Sequence, residues 1–255
     1  MIPWTADPFA LALVALASLV YVVRVRDRGK PLFFGAAMIA LGLALVSPLA
    51  FLARGVFFSA HMLQHLLLVL AVPPLVLLSL PHERATEGVH ESSLLRIVPS
   101  WGLGVGAMWL WHAPTLCNAA STDAMVLHAQ TLSLLAMGGA FFWPIFGSRA
   151  AHRLSTFGAV AYLFTACAAC TVLGIGITFS PVEVCSIFAR PSAIREAWNV
   201  SAKADQEVGG LLMWVPGCLV YAACIVVMYG RYLHDPAPPA PMARGEARVE
   251  REEAR

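Results

Sequence analysis

The stretch FFSAHMLQHLLLVLAVPPLVLLSLP, residues 57–81, is long and apolar enough to cross a membrane, and it carries two histidines near its start. A spanning helix needs about 20 predominantly apolar residues. At this length only a helix satisfies its own backbone hydrogen bonds in lipid, so the stretch predicts a helix rather than a strand. His61 and His65 are four residues apart, which places both imidazoles on one helix face, one turn apart. This spacing is typical of two metal ligands on one helix.

Similar apolar stretches recur along the chain, in which 59% of the 255 residues are hydrophobic and 13% are charged. This composition predicts an all-α integral membrane protein with one membrane domain over residues 1–234. The formal net charge of +2 is too small to indicate nucleic-acid binding. Seven transmembrane helices are predicted near residues 8–23, 31–53, 56–80, 97–117, 122–146, 155–180 and 207–230. The basic cluster follows the first of them, so we interpret that segment as a retained span rather than a cleavable signal peptide.

The orientation of the spans follows from the lysines and arginines between them, because cytoplasmic loops carry an excess of these residues. Thirteen of the 17 fall on one side of the predicted topology, and Arg54, Arg190, Arg195 and Lys203 fall on the other. The N-terminus is therefore predicted outside and the C-terminus in the cytoplasm. The tail at 235–255 combines a proline-rich stretch with mixed charges, which predicts a disordered cytoplasmic segment. The outer segment near 181–206 is predicted to contain a short helix on the membrane surface.

Four histidines share one level of this topology. His61 and His65 are predicted about 8 and 14 Å in from the outer end of the third span, at about 1.5 Å per residue. His112 ends the fourth span in WLWHAP, and His128 lies near the start of the fifth. The other four histidines, His82, His90, His152 and His234, fall in segments predicted on the inner side. Because ionisable residues in spans are costly and mark functional sites, the outer four are the candidate metal ligands.

Each member of this set also has a structural interpretation. His61 and His65 can hold helices together by hydrogen bonds, and His112 and His128 can be interfacial residues. Three methionines near the same level, Met62, Met108 and Met125, are either packing residues or thioether ligands, which combine with imidazole to suit Cu(I). Asp123 is either a helix N-cap or a partner of the metal or of a histidine.

The cysteines and prolines leave further alternatives open. Cys167 and Cys170 form a CxxC near the middle of the sixth span, where a structural role among small residues is the simpler interpretation. Cys117 and Cys185 are both predicted outside, where they can form a disulfide or contact copper. Pro73 and Pro74 are predicted to kink the third span below the histidine pair.

Several motifs in this order resemble a known family. They are HMLQHLLL in the third span, the WHAP segment, GITFSP at the end of the sixth span and DQEVGGLLMWVPG opening the seventh. Together they are similar to the multispanning CtaG family of bacterial cytochrome c oxidase assembly factors. The resemblance covers spans two to seven. It assigns motif positions, besides the histidines, to Gln64, Asp205, Gln206, Gly209, Gly210, Met213 and Trp214.

The resemblance implies a multi-pass protein of the bacterial plasma (inner) membrane that is not an enzyme. It implies an assembly factor for a haem-copper oxidase, and the partners expected from it are the oxidase catalytic subunit, membrane lipid and other copper chaperones. Combined with the histidines, it predicts that Cu(I) is bound from the outer leaflet and delivered to the oxidase.

Three other functions are weighed against copper delivery. A haem-binding electron carrier is disfavoured, and no haem is expected, because His61 and His65 on one helix face cannot flank one haem, although either could pair with His112 or His128. A metal-free assembly scaffold predicts normal oxidase copper without the histidines. A membrane di-iron enzyme would need more histidines and carboxylates than this level of the chain provides.

Overall fold

The structure is a computed structural model, which describes residues 3–5, 7–25, 28–81, 94–148 and 153–234. The predicted tail at 235–255 and three of the inner histidines, His82, His90 and His152, lie outside these residues. Within them the chain is helical and contains no strand. The α-helices are α1 (Pro8–Arg24), α2 (Pro31–Leu45), α3 (Pro48–Leu52), α4 (Phe58–Leu66), α5 (Val72–Ser79), α6 (Leu94–Trp111), α7 (Pro114–Thr122), α8 (Ala124–Phe146), α9 (Thr156–Thr178), α10 (Ala193–Ala197) and α11 (Ala202–His234).

Five segments of the described residues are long and apolar enough to cross a membrane. They are Pro31–Leu52, Phe58–Ser79, Ala124–Phe146, Thr156–Thr178 and Ala202–Gly230. These match the predicted second, third, fifth, sixth and seventh spans, so the all-helical, multi-pass character of the chain is confirmed. The first predicted span is the 17-residue α1, which is apolar but shorter, and the fourth is the 18-residue α6. The number of seven spans and their orientation stay predictions.

Prolines alter two of the predicted spans. Pro48 begins α3, so the second predicted span is two consecutive helices with a break at Val46 and Ser47. The fourth predicted span, 97–117, was placed too far along the chain, because its helix already ends at Trp111. Pro114 disfavours helical geometry at the residue before it and starts α7 instead.

The third predicted span is also irregular, at the place where the prolines indicated a kink. Its helix widens into a π-helical turn at Leu67–Ala71 and resumes as α5 at Val72. Pro73 and Pro74 then occupy the first turn of the resumed helix. Gly138 of α8 lies against Pro73, so the two helices approach closely at this level.

Side-chain caps fix several helix starts. Asp7 accepts a hydrogen bond from the Phe9 N–H at the start of α1, and Ser47 accepts one from Leu49 at the start of α3. Asp123 accepts from the Met125 and Val126 N–H groups at the start of α8. Among the alternatives for Asp123, the helix N-cap is therefore the one that is confirmed.

The helices pack so that α4 lies in the interior. α11 packs along α9 and α4, while α8 packs along α6 and α5. One apolar core includes Leu45, Met62, Leu68, Leu134 and Met213, which come from five different helical segments. A second core, around Phe141, Phe142, Leu163 and Tyr221, lies between α8, α9 and α11. The face of α4 that bears the two histidines is therefore enclosed by protein, while Leu63 lies on its exposed face.

Candidate metal centre

His61 and His65 lie side by side on α4, as their spacing predicts. The centroids of their rings are 4.3 Å apart, and each residue is only 1% exposed. The predicted i, i+4 arrangement is therefore present and fully enclosed. Burial of two imidazoles without solvent is unfavourable unless their nitrogens find partners, so the partners of these rings are informative.

His112 joins the pair from the end of α6. Its ring stands edge-on to that of His65, with centroids 5.5 Å apart. Nδ1 lies 2.5 Å from the Met108 carbonyl oxygen, and because a carbonyl only accepts, Nδ1 carries the proton and donates. Nε2 therefore has a free lone pair, and it lies 3.1 Å from the thioether sulfur of Met62. Two soft electron-pair donors thus face each other with no hydrogen between them.

The other two histidines also have nitrogens without partners. His61 donates a hydrogen bond to the backbone of Ala53, while its Nε2 is buried and unpaired. Both ring nitrogens of His65 are buried without a hydrogen bond of standard geometry, and the nearest polar side chain is that of Gln130. Metal-binding histidines commonly donate one ring N–H to a carbonyl and present the other nitrogen to the metal. His61 and His112 follow this pattern, and His65 lies between them. We refer to His61, His65, His112 and Met62 as the histidine cluster.

Gln130 of α8 is a further polar neighbour of the cluster. Its side chain interacts with His65, and its Nε2 is buried without a hydrogen-bond partner. Sequence reasoning missed this residue, although an amide inside an apolar span, two residues after a candidate ligand, was a usable signal.

The seventh predicted span holds α4 in place through its opening motif. Asp205 accepts hydrogen bonds from the Phe58 N–H at 2.6 Å, the Ser59 N–H at 3.1 Å and the Ser59 hydroxyl at 2.5 Å. It therefore caps the N-terminus of α4 from another helix, where a negative charge is favourable. One turn further, Gly209 lies against Phe58 and Met62, and a side chain there would collide with the Phe58 ring and crowd Met62.

The other motif residues pack the helices around α4. Gly210 packs directly on Thr178 of α9, and Trp214 packs on Gly174. Met213 is buried in the first core. Gln64 donates to the Ala44 carbonyl at 2.8 Å and ties α4 to α2. These other motif positions therefore surround the histidine cluster, whose nitrogen and sulfur atoms come from the HMLQH and WHAP motifs.

A strap, residues 182–195, covers the end of the cluster where α4 begins. Phe188 of the strap is buried against His61, with ring centroids 5.4 Å apart. Gln206 holds the start of the strap by accepting from the Val184 N–H and donating to the Val182 carbonyl. The buried Arg195 holds its end by donating to the carbonyls of Val56, Phe188 and Arg190. The short helices here agree with the predicted helical segment, but the burial of Arg195 had no signal in the sequence.

The disulfide alternative is the one observed for Cys117 and Cys185, which join α7 to the strap. Asn118 adds to this attachment by accepting hydrogen bonds from the Ile187 N–H and the Ser186 hydroxyl. Cys167 pairs with Cys218 of α11 rather than with Cys170, which is a buried free thiol. The CxxC of the sixth predicted span is therefore not itself a disulfide.

His128 is not brought together with the other three histidines. Its ring stacks on Phe9, with centroids 4.0 Å apart, and its Nε2 lies 3.3 Å from Asp7 Oδ2. Arg54 contacts the same carboxylate oxygen at 2.9 Å. Partial burial raises the pKa of Asp7, but hydrogen bonds from the Phe9 N–H, His128 and Arg54 outweigh it and leave the pKa lower than usual.

The remaining candidate ligands do not supply a side-chain donor to the cluster. Met108 is buried beside the cluster, and its contact with His112 is made by its backbone carbonyl oxygen rather than by its sulfur. Met125 is 76% exposed at the start of α8, and Asp123 is occupied as a cap. In the described part of the chain, no three His, Cys, Asp or Glu side chains form a group arranged to hold a metal ion. The cluster's donor set therefore rests on imidazoles together with the Met62 thioether.

Comparison with known families now identifies the chain. Residues 16–235 match the family described as cytochrome c oxidase caa3 assembly factor, Caa3_CtaG. The chain belongs to this family. No curated protein and no solved structure matches it. Membership in Caa3_CtaG confirms the resemblance seen in the motifs, makes cytochrome c oxidase assembly the function of the family, and implies an interaction with the oxidase. Assembly factors of this kind are not a class of catalytic enzyme.

Proposed function

We propose that this Caa3_CtaG protein takes part in cytochrome c oxidase assembly by holding Cu(I) in the histidine cluster and delivering it to the oxidase. The observation that carries the proposal is the arrangement of lone pairs around His65. His112 Nε2 faces Met62 Sδ at 3.1 Å, and His61 Nε2 and the two ring nitrogens of His65 are buried without a hydrogen bond of standard geometry. Buried polar groups without partners are rare in folded proteins and call for an explanation. A soft cation that accepts these lone pairs provides one.

The donor set suits Cu(I) better than a hard cation. Thioether and imidazole ligands favour copper, whereas magnesium and calcium require oxygen ligands. Cu(I) accepts low coordination numbers, so it does not need a group of three His, Cys, Asp or Glu side chains. Small movements of Met62, an unbranched and flexible side chain, would open room for the ion between its sulfur and His112.

The local helix geometry fits a functional site. Met62 and Gln64 come from the same short helix as His61 and His65, and that helix is followed at once by a π-helical turn. Such turns are frequent at functional sites. The proposed orientation, with seven spans and the C-terminus in the bacterial cytoplasm, puts the cluster in the outer leaflet of the inner membrane. Copper held at that depth is available laterally to a catalytic subunit in the same membrane.

A metal-free scaffold is the second candidate, and the absence of a three-residue metal group in the described residues favours it. In that case the histidines would stabilise helix contacts only. The oxidase would then receive its copper from another protein, and this chain would hold the subunit during assembly.

A copper titration separates the two candidates. Purified protein in detergent is titrated with Cu(I) against a colorimetric Cu(I) chelator, and we compare wild type with the variant that combines His61→Ala and His65→Ala. The matched control is Leu63→Ala, which changes α4 on its exposed face. We expect wild type and Leu63→Ala to bind tightly and the double variant to lose affinity by at least about tenfold. Equal affinity of all three proteins would refute the copper site and favour the scaffold.

A further inference from the structure

The histidine cluster is closed on one side by the strap rather than by a long helix. The side chains that α4 contributes to the cluster are each 1% exposed, so an ion reaches or leaves them only when part of the enclosure moves. Elsewhere the enclosure consists of long helices, because α11 packs along α4 and α8 packs along α6. Within the strap only Ser186–Ala189 and Ala193–Ala197 are helical, and each is a short turn. The strap can therefore move without breaking a long helix.

The strap closes the cluster at His61 with one aromatic side chain. Ser186 and Arg190 are exposed on the outer side of the strap, while Phe188 between them is buried. The Phe188 ring lies against the His61 ring at a centroid distance of 5.4 Å. It also stands edge-on to the Phe58 ring at 5.5 Å. Displacement of Phe188 would therefore uncover the first histidine of the cluster.

The start of the strap is fixed covalently. The disulfide between Cys117 and Cys185 joins it to α7. Asn118, the next residue of α7, accepts a hydrogen bond from the Ile187 N–H at 2.9 Å. Both attachments lie before Phe188 in the sequence, so they hold one end of the strap while the remainder is able to pivot.

The end of the strap is held by hydrogen bonds from one buried cation. Arg195 is 5% exposed and donates to the carbonyls of Val56 at 2.9 Å, Phe188 at 2.6 Å and Arg190 at 2.5 Å. In the described residues no carboxylate forms an ion pair with Arg195. A buried charge without a counter-ion loses favourable hydration, which it regains when it is exposed to water. Arg195 therefore holds the strap closed with bonds that water can replace.

We propose that the strap is the gate of the histidine cluster: it pivots at its disulfide to α7, releases Arg195 and lifts Phe188 from His61, so that Cu(I) enters or leaves. This inference rests on the proposed function and adds to it the route of the ion. The disulfide stays intact in this step, and the copper exchanges ligands without a change of oxidation state. The rates of loading and release are then set by how often the strap opens.

Copper release tests the gate separately from affinity. Purified full-length protein in detergent is loaded with Cu(I) and mixed with an excess of a colorimetric Cu(I) chelator, and the absorbance of the chelator complex is followed by stopped flow. Phe188→Ala is compared with Phe57→Ala. Both rings are buried near the start of α4, but Phe57 packs on Trp198 rather than on a histidine. The control therefore removes an equal ring without uncovering His61.

We expect Phe188→Ala to release Cu(I) about tenfold faster than wild type, because loss of one buried ring weakens the closed strap by at least the free energy of a tenfold change. The affinity measured by equilibrium competition with the chelator should be unchanged, since the strap closes over the empty and the loaded cluster alike. Phe57→Ala should release at the wild-type rate. A wild-type rate in Phe188→Ala, or equal acceleration in Phe57→Ala, would overturn the gate.

The two disulfides provide an independent test that leaves Phe188 in place. The variant that combines Cys117→Ser and Cys185→Ser frees the start of the strap and should release Cu(I) faster than wild type. The variant that combines Cys167→Ser and Cys218→Ser removes the disulfide between α9 and α11 and should release at the wild-type rate. No acceleration in the first variant, or equal acceleration in both, would refute the gate while leaving tight binding at the cluster intact. Wild-type protein that binds no Cu(I) at equilibrium would refute the proposed function itself.

Discussion

Cells that carry both His61→Ala and His65→Ala are expected to assemble a cytochrome c oxidase with little copper and to lose most oxidase activity. The physical reason is that two of the three clustered imidazoles disappear, so the remaining His112 and Met62 cannot retain the ion. Loss of groups around a metal typically lowers affinity by 10–100-fold, and we expect oxidase copper to fall by roughly tenfold. The measurement is the copper content and turnover of oxidase isolated from cells with equal amounts of this protein in the membrane.

The control for this experiment is Leu63→Ala at the same expression level. Leu63 belongs to α4 but faces outward, so its loss perturbs the helix without reaching the cluster. Oxidase from the control should contain normal copper. Normal copper content in the double histidine variant, with the protein present in normal amount, would contradict delivery and support the metal-free scaffold.

Replacement of Asp205 by alanine is expected to be the most destabilising single change considered for this chain. The Asp205 carboxylate is 2% exposed and satisfies two backbone N–H groups and one hydroxyl at the start of α4. Its removal leaves buried donors unpaired, each at about 1–3 kcal/mol, and removes the helix cap as well. We expect a loss of about 3 kcal/mol or more in the free energy of unfolding. Thermal unfolding in detergent measures this loss.

Two further variants separate capping from a general effect of charge. Asp205→Asn keeps an acceptor oxygen and should recover part of the stability, since asparagine is a good helix cap. Glu207→Ala removes a carboxylate two residues away that makes only an exposed contact with Lys203 at 3.6 Å, so it should change stability little. Equal destabilisation by Glu207→Ala would show that Asp205 does not act through α4. Because Asp205 positions α4, its loss should also weaken Cu(I) binding.

Much of the histidine cluster was predictable from local spacing. The i, i+4 separation of His61 and His65 fixes their common face in any helix, and the structure places their rings in contact. The level of His112 followed from the length of the preceding span, and the structure confirms its proximity to His65. Spacing and span length depend only on residues that are close along the chain, so both can be read from the sequence.

The position of His128 could not be predicted from residue spacing and span length. Depth in the bundle predicted the same level as the other histidines but not the direction in which its helix faces. That direction depends on where α1 packs, because Phe9 and Asp7 are the partners that His128 finds. A single sequence contains no measure of this contact, since residues 7 and 128 are distant along the chain. For the same reason the pairing of Asp205 with the start of α4 could not be foreseen.

The breaks in the helices were only partly predictable from the sequence. Pro48 and Pro114 were visible in the sequence, and each ends a helix by restricting the residue before it. The 97–117 prediction gave too much weight to apolar length and too little to this rule. The π-helical turn at Leu67–Ala71 had the nearby Pro73 and Pro74 as its only signal.

The central claim is that the histidine cluster is a copper site, and X-ray absorption at the copper edge of the Cu(I)-loaded protein tests it most directly. We predict imidazole scattering together with one sulfur neighbour in wild type, because Met62 is the thioether at the cluster. Met62→Leu should remove the sulfur signal, whereas Met125→Leu should keep it, since Met125 is exposed elsewhere. A spectrum without imidazole scattering, or with a sulfur signal that survives Met62→Leu, would contradict the account.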